Sequence, residues 1–299
     1  MLKYSIVIPI KRFTYFWSKE GHIDQRPNTH LHDNIIRFFE ISWKTHDKHF
    51  KKSDIDCIYF IISSEDKPYF TQFVSKHIHN VRTKIIIEDH MLSPMYNFTS
   101  HRKQMLLKLL IWKYIKTEYY LILDDDIISL KPFGYNDLFS ATNNKKIRYA
   151  AEPSIESQPH AWEGSRDLLK IKKRTNIYKL KNTISITPEI LITSVVKDMM
   201  EYLEHEYGNV HVLYNELVKL SWTEYVLYWL YLRYIDKKGV SYYENDSLTS
   251  LDTNLTLYED NYRDIIKKNI TEHIRPFMII QSNVYEYNIK DLKNALNLK

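Results

Sequence analysis

Short apolar runs alternate with helix-like stretches from Tyr4 to Leu123, and this alternation restricts the fold more than any other property of the chain. "YSIVIPI" (Tyr4 to Ile10), "DCIYFII" (Asp56 to Ile62), "TKIIIED" (Thr83 to Asp89) and "YYLIL" (Tyr119 to Leu123) read as strands. Between them, "DNIIRFFEISWKTH" carries Ile36, Phe39 and Trp43 at helical spacing. "KPYFTQFVSKHI" and "HRKQMLLKLLIWKYIK" likewise read as helices. Near-continuous apolar strands separated by helices predict an α/β fold, with a mostly parallel sheet flanked by helices. In such sheets, ligands bind outside the carboxyl ends of the strands. Lys11 and Arg12 follow the first strand, Ser63 to Asp66 the second, Glu88 and Asp89 close the third, and Asp124, Asp125 and Asp126 follow the fourth.

The second half is more helical. "TPEILITSVVKDMMEYLEHE" predicts a helix with Thr187 as its cap and Pro188 in its first turn. "SWTEYVLYWLYLRYI" predicts another, while "KIRYAAE" and "RPFMIIQS" read as short strands. No linker, repeat or low-complexity segment divides the chain, so one unit over 1–299 is expected, with 134–299 packed on the sheet built by 1–133.

With 42 Lys and Arg against 37 Asp and Glu, the net charge is +5, and the excess is spread along the chain. That distribution gives no nucleic-acid footprint, although a mildly basic surface is compatible with anionic substrates or peripheral contact with an anionic membrane. "YVLYWLYLRYI" is too short to span a bilayer. A single cysteine, Cys57, sits in an apolar strand and cannot form an internal disulfide. The N-terminus lacks a signal-peptide pattern, so a reducing, cytoplasmic location is expected. Five scattered glycines exclude a P-loop and a GxGxxG turn, both of which need clustered glycines to bring backbone close to phosphate. A nucleotide would need another anchor, and a metal on carboxylates supplies one.

Asp124, Asp125 and Asp126 are the natural place for that metal. Three carboxylates at the end of a buried strand repel one another and are costly to desolvate. A divalent cation offsets both effects, and hard oxygen ligands suit Mg²⁺ or Mn²⁺. On the preceding helix, Arg102 and Lys103 lie in the first turn and Lys108 further along. Cations there oppose the helix dipole, a conflict that a bound diphosphate reverses. Ser221-x-x-Glu224 has capping-box spacing, and Glu224 is also a candidate acceptor-side carboxylate.

"KQMLLKLL" (Lys103 to Leu110), "YYLILDDDIISLKPF" (Tyr119 to Phe133) and "WTEYVLY" (Trp222 to Tyr228) together resemble segments of a group of GT-A-fold, metal-dependent glycosyltransferase-like proteins of bacteria and large DNA viruses. The resemblance follows the chain in order over most of its length. It implies a GT-A-like sheet, with a nucleotide-sugar donor on the first half and a glycan or other hydroxyl acceptor on the second, as in polysaccharide synthesis. Asp124 and Asp126 map onto the first and last acids of an Asp-x-Asp motif. Asp126 is implied as the metal ligand, Asp124 as a metal or donor contact, and Asp125 stands at the variable position on the donor side. Pro9, Lys11, Arg12 and Asp89 around the strand ends, with Arg102 and Lys108 on the preceding helix, are the expected donor-side residues, and the resemblance further implies His273 as an additional metal ligand and Glu224 as catalytic. Two alternatives stand beside it. In a phosphatase-like hydrolase Asp124 would be the nucleophile, and the third possibility is a noncatalytic carbohydrate-binding module.

Overall fold

The apolar runs form the middle of a sheet in a computed structural model of the chain. It describes residues 3–12, 33–140, 158–175, 187–237, 239–245, 275–280 and 289–298, with shorter stretches at 16–17, 23–24, 146–149, 151–152, 177, 183–184, 264, 267–268 and 271–272. Strands β1 (Tyr4–Pro9), β2 (Ile55–Ile62), β3 (Thr83–Ile87) and β4 (Tyr119–Ile122) are parallel, and β5 (Glu189–Ile192) pairs antiparallel with β4. The order is β5-β4-β1-β2-β3. In register, Val7 lies between Tyr59 of β2 and Ile122 of β4. Every residue of β1 is buried, as expected for a strand covered on both faces. Each fully buried Ile or Val there contributes about 1.5–3 kcal/mol relative to exposure.

Helices flank the sheet. Asp33 caps α1 (Asn34–Arg37), its carboxylate accepting from the Ile35 and Ile36 amides. The chain then passes through a π-helical segment, Phe38–Ser42, into α2 (Trp43–His49). α3 (Lys67–His77) follows β2, and α4 (Ser100–Leu110), capped by Thr99, precedes β4. In the second half come α5 (Pro159–Leu168), α6 (Thr193–Tyr207), α7 (Val210–Lys219) and α8 (Glu224–Tyr231). α5 and α7 are helices that the sequence reading did not place.

One segment differs from expectation in type. Thr187 and Pro188 do not open a helix: Glu189–Ile192 is the strand β5, and α6 begins only at Thr193. The reason lies in β4, whose outer edge would otherwise be unpaired. Glu189, Ile190, Leu191 and Ile192 sit opposite Ile122, Leu121, Tyr120 and Tyr119 and are all buried. Ladder hydrogen bonds and burial on β4 outweigh a cap-like Thr-Pro pair.

Two features fix the segments around the end of β4. Ile127–Ser129 pairs antiparallel with Phe277–Ile279, and the Ile280 amide donates to the Asp126 carbonyl. On the other side, α5 approaches the chain just before α8 so closely that a Cβ at Gly164 would lie 1.7 Å from the Ser221 carbonyl oxygen. A continuous apolar core joins Tyr4, Leu121, Trp162, Trp222, Tyr228 and Phe277, and Cys57 is buried within it. Among the described residues no helix is long and apolar enough to cross a membrane.

Candidate active site

The chain moves from β1 to β2 and β3 on one side, then returns to place β4 on the other side of β1. The crevice between the carboxyl ends of β1 and β4 is therefore the switch point of the sheet, where open α/β sheets hold their ligands. Pro9, the last residue of β1, stands on one wall. Asp124 to Asp126 stand on the other, directly after β4 and Leu123.

The three acids diverge, because a turn closed by the Ile127 amide on the Asp124 carbonyl points them in different directions. Asp124 is partly exposed and engaged at both oxygens. Lys108 Nζ lies 2.8 Å from Oδ1, and the Thr187 hydroxyl donates to Oδ2 at 2.6 Å. Burial pushes this carboxyl up, but Lys108 and Thr187 more than offset that and hold it below its ordinary range. Asp125 turns inward, is 9% exposed, and pairs with Arg37 at 3.3 Å. Its backbone carbonyl accepts from Ser42 Oγ at 2.9 Å. Burial, reinforced by the charges of Asp126 and Asp124, raises its carboxyl to about 7 against the pull of Arg37. Asp126 is half-buried, with its backbone tied to Ile280.

Lys108 sits in the last turn of α4 between buried Leu107 and Leu109, and is 4% exposed. Its ammonium bridges Asp124 and Glu224, the latter at 2.9 Å, and lies 5.5 Å from the centre of the Tyr225 ring. Burial alone would depress its pKa, yet the two carboxylates raise it well above the ordinary value. Glu224, also 4% exposed, is the first residue of α8. The helix starts later than the Ser221-x-x-Glu224 spacing predicts. Thr223 is the cap, accepting from the Val226 amide, and the Glu224 carboxylate reaches Lys108. A buried ammonium attracts it more strongly than an amide at the helix start, since charge-assisted bonds are about twice as strong.

The other expected donor-side residues lie around the rim. Lys11 donates to Ser100 Oγ at 2.7 Å. Arg12 donates to Asp33 at 2.7 Å and stacks 3.8 Å over the Tyr69 ring. Asp89 accepts from Ser64 Oγ at 3.0 Å, and Lys103 lies 2.6 Å from Glu88 and 3.6 Å from Asp89. The Arg102 guanidinium donates to the Val218 carbonyl near the end of α7. His273 lies outside the described residues. Thr187 and Arg37 are site-forming residues that the sequence reading missed. Neither has a motif, and both take their roles from elements far along the chain. Lys108 did carry a signal of its burial: a lysine inside "MLLKLLI" has apolar neighbours on every face of the helix.

Among the described residues no three His, Cys, Asp or Glu side chains come together as a preformed cage for a metal. The donor set still suits Mg²⁺ or Mn²⁺, which is commonly held by one or two carboxylates plus substrate phosphates. Asp124 and Asp126 are the carboxylates at hand there, and each oxygen of Asp124 is held by a protein partner.

Fold and site together define an α/β protein with an acidic cluster at the switch point of a mostly parallel sheet. The chain belongs to the family of unknown function DUF6492, which matches over residues 1–296. No curated protein matches it. Among solved structures it is similar to mouse xyloside xylosyltransferase 1 in its apo form, at 9% identity and a TM-score of 0.46, over 95% of this chain and 99% of that one.

Proposed function

We propose that the protein is a glycosyltransferase that moves a sugar from a nucleotide-sugar donor to an acceptor hydroxyl and depends on Mn²⁺ or Mg²⁺. The observation that carries this reading is the placement of Asp124 and Asp126 beside the end of β1, at the switch point of the sheet. Without a Gly-rich loop a diphosphate needs another anchor there, and a cation held by Asp126 supplies one. The order of "KQMLLKLL", "YYLILDDDIISLKPF" and "WTEYVLY" along the chain supports the same class.

In this reading Asp126 holds the metal together with the donor diphosphate, and His273 is a further ligand. Bound there, the metal stabilises the negative charge that develops on the departing nucleoside diphosphate. Asp124, oriented by Thr187 and Lys108, faces the donor. Pro9, Lys11, Arg12 and Asp89 border the nucleotide, and Arg102 lies near its phosphates. Glu224, one ammonium away from Asp124, is the acceptor-side carboxylate. The hydrolase alternative fits less well, because that class opens on the strand bearing its Asp nucleophile. Here three parallel strands precede β4.

A panel of nucleotide sugars and nucleoside diphosphates, with and without Mn²⁺, tests the reading by thermal shift and by release of nucleoside diphosphate. Metal and nucleotide together are expected to stabilise more than either alone, and a nucleotide at 100 times its dissociation constant in the presence of metal should add about 2.7 kcal/mol over the unliganded chain. Hydrolysis of a generic phosphate ester, with no nucleotide sugar consumed, would replace this reading with the phosphatase one.

A further inference from the structure

We propose that Lys108 is a positioning residue that locks the donor-side carboxylate Asp124 to the acceptor-side carboxylate Glu224, and that it does not touch the substrate. The inference rests on the glycosyltransferase reading for the words donor and acceptor, but the lock itself rests on geometry. Lys108 comes from α4, Asp124 from the end of β4 and Glu224 from the start of α8. The ammonium lies 2.8 Å from one carboxylate and 2.9 Å from the other, with the Tyr225 ring nearby. Two charged partners, an aromatic face and 4% exposure leave it little surface to offer a diphosphate.

The surroundings reinforce this role. The Tyr120 hydroxyl donates to the Lys108 carbonyl at 3.2 Å, tying the same residue's backbone to β4. Thr187 holds the other oxygen of Asp124 and lies 3.2 Å from the Tyr225 hydroxyl, so the link between Asp124 and α8 closes on both sides. Removing the ammonium leaves two carboxylates facing each other with little water, which repel and move apart. Asp124 and Glu224 belong to elements widely separated in sequence, so their separation changes the distance between the two reactants as well as the local packing. Positional errors near 1 Å cost roughly a hundredfold in rate.

The experiment is a double-mutant cycle on the full chain with Lys108→Met, Glu224→Gln and the pair together. Urea unfolding, binding of a nucleoside diphosphate with Mn²⁺, and kcat and KM for sugar transfer are measured for each. Lys108→Met should lower the unfolding midpoint, and adding Glu224→Gln should restore part of it, because the second change removes the unbalanced charge. Lys108→Met should lower kcat at least tenfold while leaving nucleoside diphosphate affinity and donor KM within about threefold, on the logic that position and not binding is lost. Lys108→Arg, which keeps the charge, should recover more rate than Lys108→Met. A further drop in midpoint on adding Glu224→Gln would overturn the lock. So would a tenfold loss of diphosphate affinity in Lys108→Met, since it would mean direct contact with the donor. If the wild-type chain transfers no sugar, the glycosyltransferase reading fails, and the unfolding arm still decides whether Lys108 couples the two carboxylates.

Discussion

Gly164 offers a direct test of how the second half sets the site. A Cβ added there would meet the Ser221 carbonyl oxygen at 1.7 Å and its carbonyl carbon at 2.7 Å. Carbon and oxygen tolerate approach to about 3.3 Å, so the Ser221 backbone must retreat by about 1.6 Å in Gly164→Ala. Overpacking of this kind costs about 1–3 kcal/mol, against a gain of about 0.5–1 kcal/mol for replacing glycine inside a helix. α8 begins just after Ser221 with Glu224, so the displacement reaches the carboxylate that Lys108 holds. The expected outcome is a net stability loss of about 1–2 kcal/mol by urea unfolding and a fall in sugar transfer of roughly a hundredfold. Nucleoside diphosphate binding should stay close to wild type, since Asp126 and the ends of β1 and β4 are not moved. Gly208→Ala is the control. Gly208 has φ +77 at the end of α6 and open space where a Cβ would go, so alanine there is strained by about 1–2 kcal/mol without pushing on a neighbour. Equal rate losses in both variants would show that activity follows general stability. Unchanged stability and rate in Gly164→Ala would refute the close approach as the determinant of where α8 starts.

His46 is fully buried, stacks on Phe50 with ring centroids 4.8 Å apart, and has Nδ1 2.7 Å from Ser129 Oγ. Burial, then His49, lowers its pKa from 6.5 to about 3, so its stabilisation is complete above 6.5 and is lost as pH falls toward 3. Between pH 7 and pH 5 the wild type should lose about 2 kcal/mol more than His46→Phe in urea unfolding, and parallel curves would exclude a buried neutral imidazole. Asp126→Asn should abolish the joint stabilisation by Mn²⁺ and nucleoside diphosphate in thermal shift. Asp125→Asn, whose side chain faces Arg37, should keep most of it, and equal loss in both variants would show that the inward acid reaches the metal.

The parallel strands were readable because the inner ones are buried on both faces and therefore carry an apolar run that stops at polar residues, as in "YYLIL" before Asp124, and the edge strand β3 keeps the run Ile85–Ile87. The location of the acids followed from that same pattern. β5 was not readable, since four residues are too few to show a period and Thr187-Pro188 imitates a helix start. Its conformation is set by β4, more than sixty residues earlier on the chain, through pairs such as Glu189 with Ile122. Within the site, a sequence lists charges but not their partners. Lys108 read as a phosphate contact because a cation on a helix near acids suits either an anion or a counter-ion, and the sequence does not show that its ammonium lies between Asp124 and Glu224. Glu224 read as a capping-box residue for a similar reason: the spacing was right, but the helix starts at the next threonine.

The antiparallel pairing of β5 with β4 also governs how the gene can be cut for expression. A fragment ending before Glu189 would keep β1 to β4 but leave the outer side of β4 as an open row of amides and carbonyls beside Tyr120 and Leu121. An uncovered apolar strand of this kind recruits a second chain edge to edge, so the fragment would collect in inclusion bodies or in mixed oligomers. Supplying residues 187–299 as a separate polypeptide during refolding should cap that edge, restore the pairing of Phe277–Ile279 with Ile127–Ser129, and return a soluble, one-to-one complex, in which Thr187 and Glu224 arrive together on the added piece.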